Sequence, residues 1–128
     1  MSFNGVILLV DDEPHIRKYV SLILQQLGRP TIHEAGNGED AVAAYQREQP
    51  DLVLLDVSMP RMDGIETLRA LKAIDPACAV VMLTSMVNRE TIEQAAEAGA
   101  LNYIRKDIPR AEIAKALAET IAENFETG

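Results

Sequence analysis

The stretch Val6-Ile7-Leu8-Leu9-Val10-Asp11-Asp12-Glu13-Pro14 is an unbroken apolar run that stops against three acids. Consecutive apolar residues of this length suit a strand covered on both faces, as in a parallel sheet. Adjacent carboxylates repel one another and resist desolvation, and a plain turn is made more cheaply from Gly, Asn or Ser. The pattern therefore predicts a buried strand whose carboxyl end carries charge that some other group offsets.

Working outward, short apolar runs recur at Thr31 to Ala35, Leu52 to Leu55, Ala79 to Leu83 and Leu101 to Ile104. Helical patterns separate them. Pro14 suits a first helical turn, and Ile16, Val20, Ile23, Leu24 and Leu27 share one face before Gly28 ends the pattern. Further helices are predicted from Gly38 to Arg47, from Ile65 to Ile74, from an Asn88 N-cap to near Gly99, and over Ile113, Leu117 and Ile121. Strict βα alternation implies an α/β fold, a five-stranded parallel sheet with helices on both faces. In the flavodoxin-like order 2-1-3-4-5, ligands bind at the carboxyl ends of the strands near the switch point between strands one and three. Asp11, Asp12, Asp56, Thr84 and Lys106 all follow strands and would converge there.

Composition limits the function classes. A chain of 128 residues with 48% apolar content has the size of one compact domain with a real core, expected to be structured over about 5–124. A formal net charge of −8 argues against direct nucleic-acid binding and against gripping anionic lipid, and fits cations or basic partner patches. Cys78 is the one cysteine, so no intramolecular disulfide forms; it is expected to pack as a small apolar residue near a strand start, compatible with a reducing cytosol. The apolar runs are far shorter than a membrane span, and the start MSFNGV lacks the features of a signal peptide. A cytoplasmic protein without membrane insertion, and with no second domain, is the expectation.

Three carboxylates in one crevice are hard to hold together unless a hard cation bridges them, and Mg2+ prefers such oxygen ligands while keeping several waters. A phosphoryl group could complete that coordination, with the Lys106 ammonium on one oxygen and the Thr84 hydroxyl on another. One carboxylate could then act as the nucleophile toward phosphorus, a reaction that needs mainly alignment and charge neutralisation.

The pieces LLVDDEP, LLDVSMPRMDG around Asp56, VVMLTS with Thr84 and EAGALNYIRK with Tyr103 and Lys106 come in an order that resembles the receiver domain of two-component response regulators, of the single-domain chemotaxis-regulator (CheY-like) type. The resemblance covers nearly the whole chain. It implies that Asp56 is the phosphoacceptor and that Asp12 is a direct Mg2+ ligand. Asp11 would be a ligand through water, and the Ser58 backbone carbonyl the remaining protein ligand. Lys106 would pair with the phosphoryl oxygen, and Thr84 and Tyr103 would form the switch pair. It further implies a signalling protein rather than a turnover enzyme, one that assists its own aspartyl phosphorylation and dephosphorylation. Its partners would be a sensor histidine kinase or phosphotransfer protein and a downstream protein target. It would be a monomer, with dimerisation an option on phosphorylation. The phosphate would favour a state with Thr84 drawn inward and Tyr103 turned in, changing the surface of the fourth helix, fifth strand and fifth helix.

One position departs from the family. Where a Pro normally follows the strand-five Lys through a cis peptide, this chain has Asp107. A cis non-proline bond costs about 3–4 kcal/mol, so a trans bond with a shifted loop is expected. Asp107 also places a carboxylate that could compete for the Lys106 ammonium, and slower phosphorylation or an altered active state is expected relative to a variant with Pro there.

Plainer readings exist for the same residues. Asp12 or Glu13 could only cap the first helix, and Thr84, Tyr103 and Lys106 could be strand-end residues without chemistry. Met59 to Gly64 has a sufficient reading as a turn into the third helix. His15 among carboxylates does not make a zinc site, and His33 reads as structural. The face with Arg89, Glu90, Glu93 and Glu97 is a docking candidate or a solvated helix face. Two rival functions are a Mg2+-dependent phosphohydrolase, disfavoured because the first strand ends in adjacent acids and no cap insertion is evident, and a receiver-like scaffold acting without phosphorylation.

Overall fold

The computed structural model describes residues 3–125. Strands β1 (Val6–Val10), β2 (Thr31–Ala35), β3 (Leu52–Leu55), β4 (Val80–Thr84) and β5 (Asn102–Arg105) alternate with helices α1 (Pro14–Leu24), α2 (Gly38–Glu48), α3 (Gly64–Ile74), α4 (Arg89–Glu97) and α5 (Arg110–Asn124). The strands form one parallel sheet in the order β2-β1-β3-β4-β5. This is the α/β architecture and strand order expected from the βα period.

Alternation along each strand divides the interior into two layers. Leu8, Val10, Val53, Leu55, Val80 and Met82 point to one side, where Ala41, Ala44 and Tyr45 of α2, Leu68 and Leu71 of α3, and Ala95 of α4 cover them. Ile7, Leu9, Leu52, Leu54, Val81 and Leu83 point to the other, against Val20, Ile23 and Leu24 of α1 and Ile113, Leu117 and Ile121 of α5. Strands β3 and β4 are buried throughout, whereas the edge strands β2 and β5 keep exposed residues. Cys78 is buried, as its apolar surroundings require.

Several element boundaries differ from the sequence reading. Both β4 and β5 begin and end one residue later than expected: Leu101 is exposed and its N–H bonds to the Val80 carbonyl as a lead-in, while pairing starts at Asn102 with Val81. The apolar pattern through Leu27 also overran the α-helix, which tightens into a 3-10 turn over Gln25–Leu27. Gly28, at φ +147, ends the segment, and an added Cβ there would lie 2.4 Å from the Phe3 carbonyl oxygen. The Phe3 N–H bonds to the Leu27 carbonyl there, so the chain start clamps the end of this helical segment.

Caps place the ends of three helices. Asn37, Asp63 and Asn88 each accept a backbone N–H from the residue three positions on, and Asp63 with Glu66 forms a reciprocal capping box. The N-cap of α1 is Glu13, which makes no side-chain cap bond, so the acids after β1 are not explained as caps of that helix.

Candidate functional site

At the carboxyl ends of β1 and β3, Asp11, Asp12 and Asp56 bring carboxylate oxygens within 4.8 Å of one another. Asp11 and Asp56 are 3% and 2% exposed, while Asp12 faces solvent. The sheet register makes this unavoidable: Val10 pairs with Leu55, and the Asp56 N–H bonds to the Val10 carbonyl at 3.0 Å, so Asp11 and Asp56 leave adjacent strands side by side.

From the end of β5, Lys106 reaches across to this pair. Its Nζ lies 2.7 Å from Asp11 Oδ2 and 3.2 Å from Asp56 Oδ2. Burial acts to lower the lysine pKa, but the two carboxylates outweigh it and hold the ammonium above its ordinary range. Burial is also the main force on Asp56, pushing its carboxyl above the usual range and reinforced by Asp11, while the Thr84 hydroxyl and the Lys106 ammonium oppose it.

The oxygens are not equally occupied. Asp11 Oδ1 accepts the Glu13 N–H at 2.9 Å, and Lys106 takes Asp11 Oδ2 and Asp56 Oδ2. Asp56 Oδ1 is buried with no hydrogen-bond partner. A buried carboxylate oxygen left open in a cluster of oxygen donors fits a hard divalent cation and an electrophile arriving from the crevice.

Thr84, fully buried at the end of β4, accepts the Met86 N–H at 3.1 Å, and the Tyr103 hydroxyl donates to the Met86 carbonyl. The two sequence candidates are therefore linked through the backbone of Met86, in the exposed loop between β4 and α4. Burial raises the Tyr103 pKa, with the Asp56 charge adding to it. Ser58 is exposed two residues beyond Asp56. His15 is exposed against Glu13, outside the acid cluster.

The structure corrects the expectation for Asp107. Its carboxylate is bound by Arg105 through two bonds of 3.0 Å and makes no claim on Lys106, because the two residues share one side of the strand end. The Lys106-Asp107 bond is trans, there being no cis peptide among the described residues.

Two contributors escaped the sequence reading. Gly64 lies so close to Asp56 that a Cβ on it would stand 2.1 Å from the Asp56 carbonyl oxygen. Its place after Asp63 marked a turn but not this approach. Arg17 donates to the Asp11 carbonyl at 2.6 Å and to Glu34 at 2.8 Å. In sequence it is one of several polar residues of α1, with no signal of its own.

The response regulator receiver domain family model matches residues 7–118. The chain belongs to the response regulator receiver domain family. This receiver domain is 36% identical over 115 residues to the chemotaxis protein CheY of Bacillus subtilis, covering 90% of this chain and 96% of that one. It is 38% identical over 114 residues to sporulation initiation phosphotransferase F of the same organism, covering 89% and 91%. Among solved structures it resembles the CheX-CheY-BeF3-Mg complex from Borrelia burgdorferi, at a TM-score of 0.85 and 29% identity over 91% of this chain and 88% of the other. Receiver domains are signalling proteins of two-component systems that generally use Mg2+, and CheY-like members interact with histidine kinases and downstream targets. No helix among the described residues of this receiver domain is long and apolar enough to cross a membrane.

Proposed function

We propose that this chain is a phosphorylation-driven switch that accepts a phosphoryl group on Asp56. The open, buried Oδ1 of Asp56 beside Asp11, Asp12 and Lys106 carries the reading. Oδ1 attacks the phosphorus of a phosphohistidine on a sensor kinase or phosphotransfer protein. The P–N bond breaks, its electron pair passes to the imidazole nitrogen, and an aspartyl phosphate remains. Asp11, Asp12, Asp56 and the Ser58 carbonyl would hold Mg2+, which supplies charge neutralisation at the phosphoryl oxygens when bound. Lys106 leaves its carboxylate partners for a phosphoryl oxygen, a single ammonium exchanging one anion for another.

The Thr84 hydroxyl then turns to another phosphoryl oxygen and gives up the Met86 N–H. Because the Tyr103 hydroxyl holds the same residue, release of Met86 from one side unlocks the other, and the surface of α4, β5 and α5 changes to bind a protein target. We place this switch in the cytoplasm as a monomer, with dimerisation an option on phosphorylation.

Intact-mass measurement after incubation with acetyl phosphate tests the reading. A Mg2+-dependent gain of one phosphoryl group that is lost in Asp56→Asn is expected. Wild type that binds Mg2+ yet gains no mass from either acetyl phosphate or a phosphorylated kinase would leave the phosphate-independent scaffold as the better account.

A further inference from the structure

Asp11 is tied down at every polar atom. Its N–H bonds to the Ala35 carbonyl at 3.1 Å, Oδ1 takes the Glu13 N–H and Oδ2 takes Lys106. The remaining group, its carbonyl oxygen, accepts from Arg17 Nη1 at 2.6 Å, while Arg17 Nε bonds Glu34 Oε1 at 2.8 Å. The Arg17 side chain is 19% exposed, and its Nη1 lies beside the backbone of Gly36 just after β2. One guanidinium from the start of α1 thus joins the acidic loop to the end of β2.

We infer that Arg17 is a positioning residue for the cation site, holding the peptide between Asp11 and Asp12 so that both carboxylates address one ion. This rests on the reading of the acid cluster as a Mg2+ site. The Asp11 carbonyl belongs to the peptide that leads directly into Asp12, the exposed and least restrained of the three acids. Without the guanidinium, the loop loses the bond that sets the direction of that peptide. The geometry needs two forked donors, which arginine has and lysine lacks.

The sign of the effect separates positioning from simple charge. A cation near three carboxylates repels an incoming Mg2+, so if Arg17 acted only through its field, removing it would tighten Mg2+ binding. A positioning role predicts the reverse, a loss of about 10-fold, at the low end for residues that orient metal ligands.

The experiment is calorimetric titration of MgCl2 at fixed ionic strength into wild type, Arg17→Met, Arg17→Lys and Glu34→Gln, each shown folded by its thermal melt. Weaker binding by Arg17→Met, with Arg17→Lys intermediate and Glu34→Gln nearer wild type, is the expected result. Unchanged or tighter binding by Arg17→Met overturns the positioning role while leaving the Mg2+ site standing. Should Arg17→Met fail to fold, Arg17→Lys decides: it keeps the charge, so wild-type affinity in that variant overturns the inference and weaker binding supports it. Wild type that binds no Mg2+ removes the site and the role of Arg17 together.

Discussion

Asp56 holds a buried carboxylate of which one oxygen has no partner, an arrangement that costs stability in the absence of a ligand. Its raised pKa carries the same information. The protonated form is the one the fold prefers, so its stabilising contribution is complete below the ordinary value of 3.8 and is lost as pH rises through the raised value. At neutral pH and without divalent metal, Asp56→Asn is therefore expected to stabilise the protein by about 1 kcal/mol, near 4 °C in Tm. Thermal melts at pH 7 and pH 4 check this, the advantage shrinking at the lower pH. Gly64 acts in the opposite sense. A Cβ there would meet the Asp56 carbonyl oxygen at 2.1 Å, so Gly64→Ala must shift the turn and is expected to destabilise by about 2 kcal/mol in denaturant titration. The identity of Asp56 was legible because an acid after an apolar run is anomalous; the demand on Gly64 was not, since a glycine beside Asp reads equally well as an ordinary turn.

Among the elements, α3 has the most complete cap, with Asp63 accepting the Glu66 N–H at 2.9 Å and Glu66 reaching back to the Asp63 N–H. Asp63→Ala is expected to cost about 1 kcal/mol, measured by urea unfolding, with Asn retaining most of the cap. The turn from β5 into α5 behaves differently. Arg105 and Asp107 are both about half exposed, at 55% and 48%, so Asp107→Ala is expected to leave both the thermal melt and the rate of acetyl-phosphate labelling unaltered. An altered rate would restore the competition for Lys106 that the sequence alone suggested. That competition was a sound expectation for neighbouring residues of opposite charge; the actual pairing depends on which side of the strand end each side chain takes. The Asn88 cap was legible from residue type, whereas the shared hold of Thr84 and Tyr103 on Met86 was not, because backbone bonds leave no trace in side-chain identity.

For the molecule as a whole, the sheet separates two apolar layers, and Leu54 lies fully buried in the one covered by α1 and α5. Leu54→Ala is expected to cost about 3 kcal/mol through lost transfer energy and an incompletely collapsed cavity, with a single cooperative transition retained in urea. The βα period settled the parallel sheet in advance, because right-handed crossovers leave few ways to cover strands that are apolar on both faces. The same pattern put Asp11, Asp56, Thr84 and Lys106 at strand ends, and hence at one edge of the sheet. Periodicity and residue type thus determined the architecture and the membership of the acid cluster. Tertiary structure decided the rest: that Lys106 spans Asp11 and Asp56, that Asp107 turns to Arg105, that Arg17 grips the Asp11 carbonyl, and that one oxygen of Asp56 stays open. The physical reason is range. Local pattern and burial are properties of neighbouring residues, while hydrogen-bond partners are chosen among groups far apart in the chain that meet only after the sheet has formed.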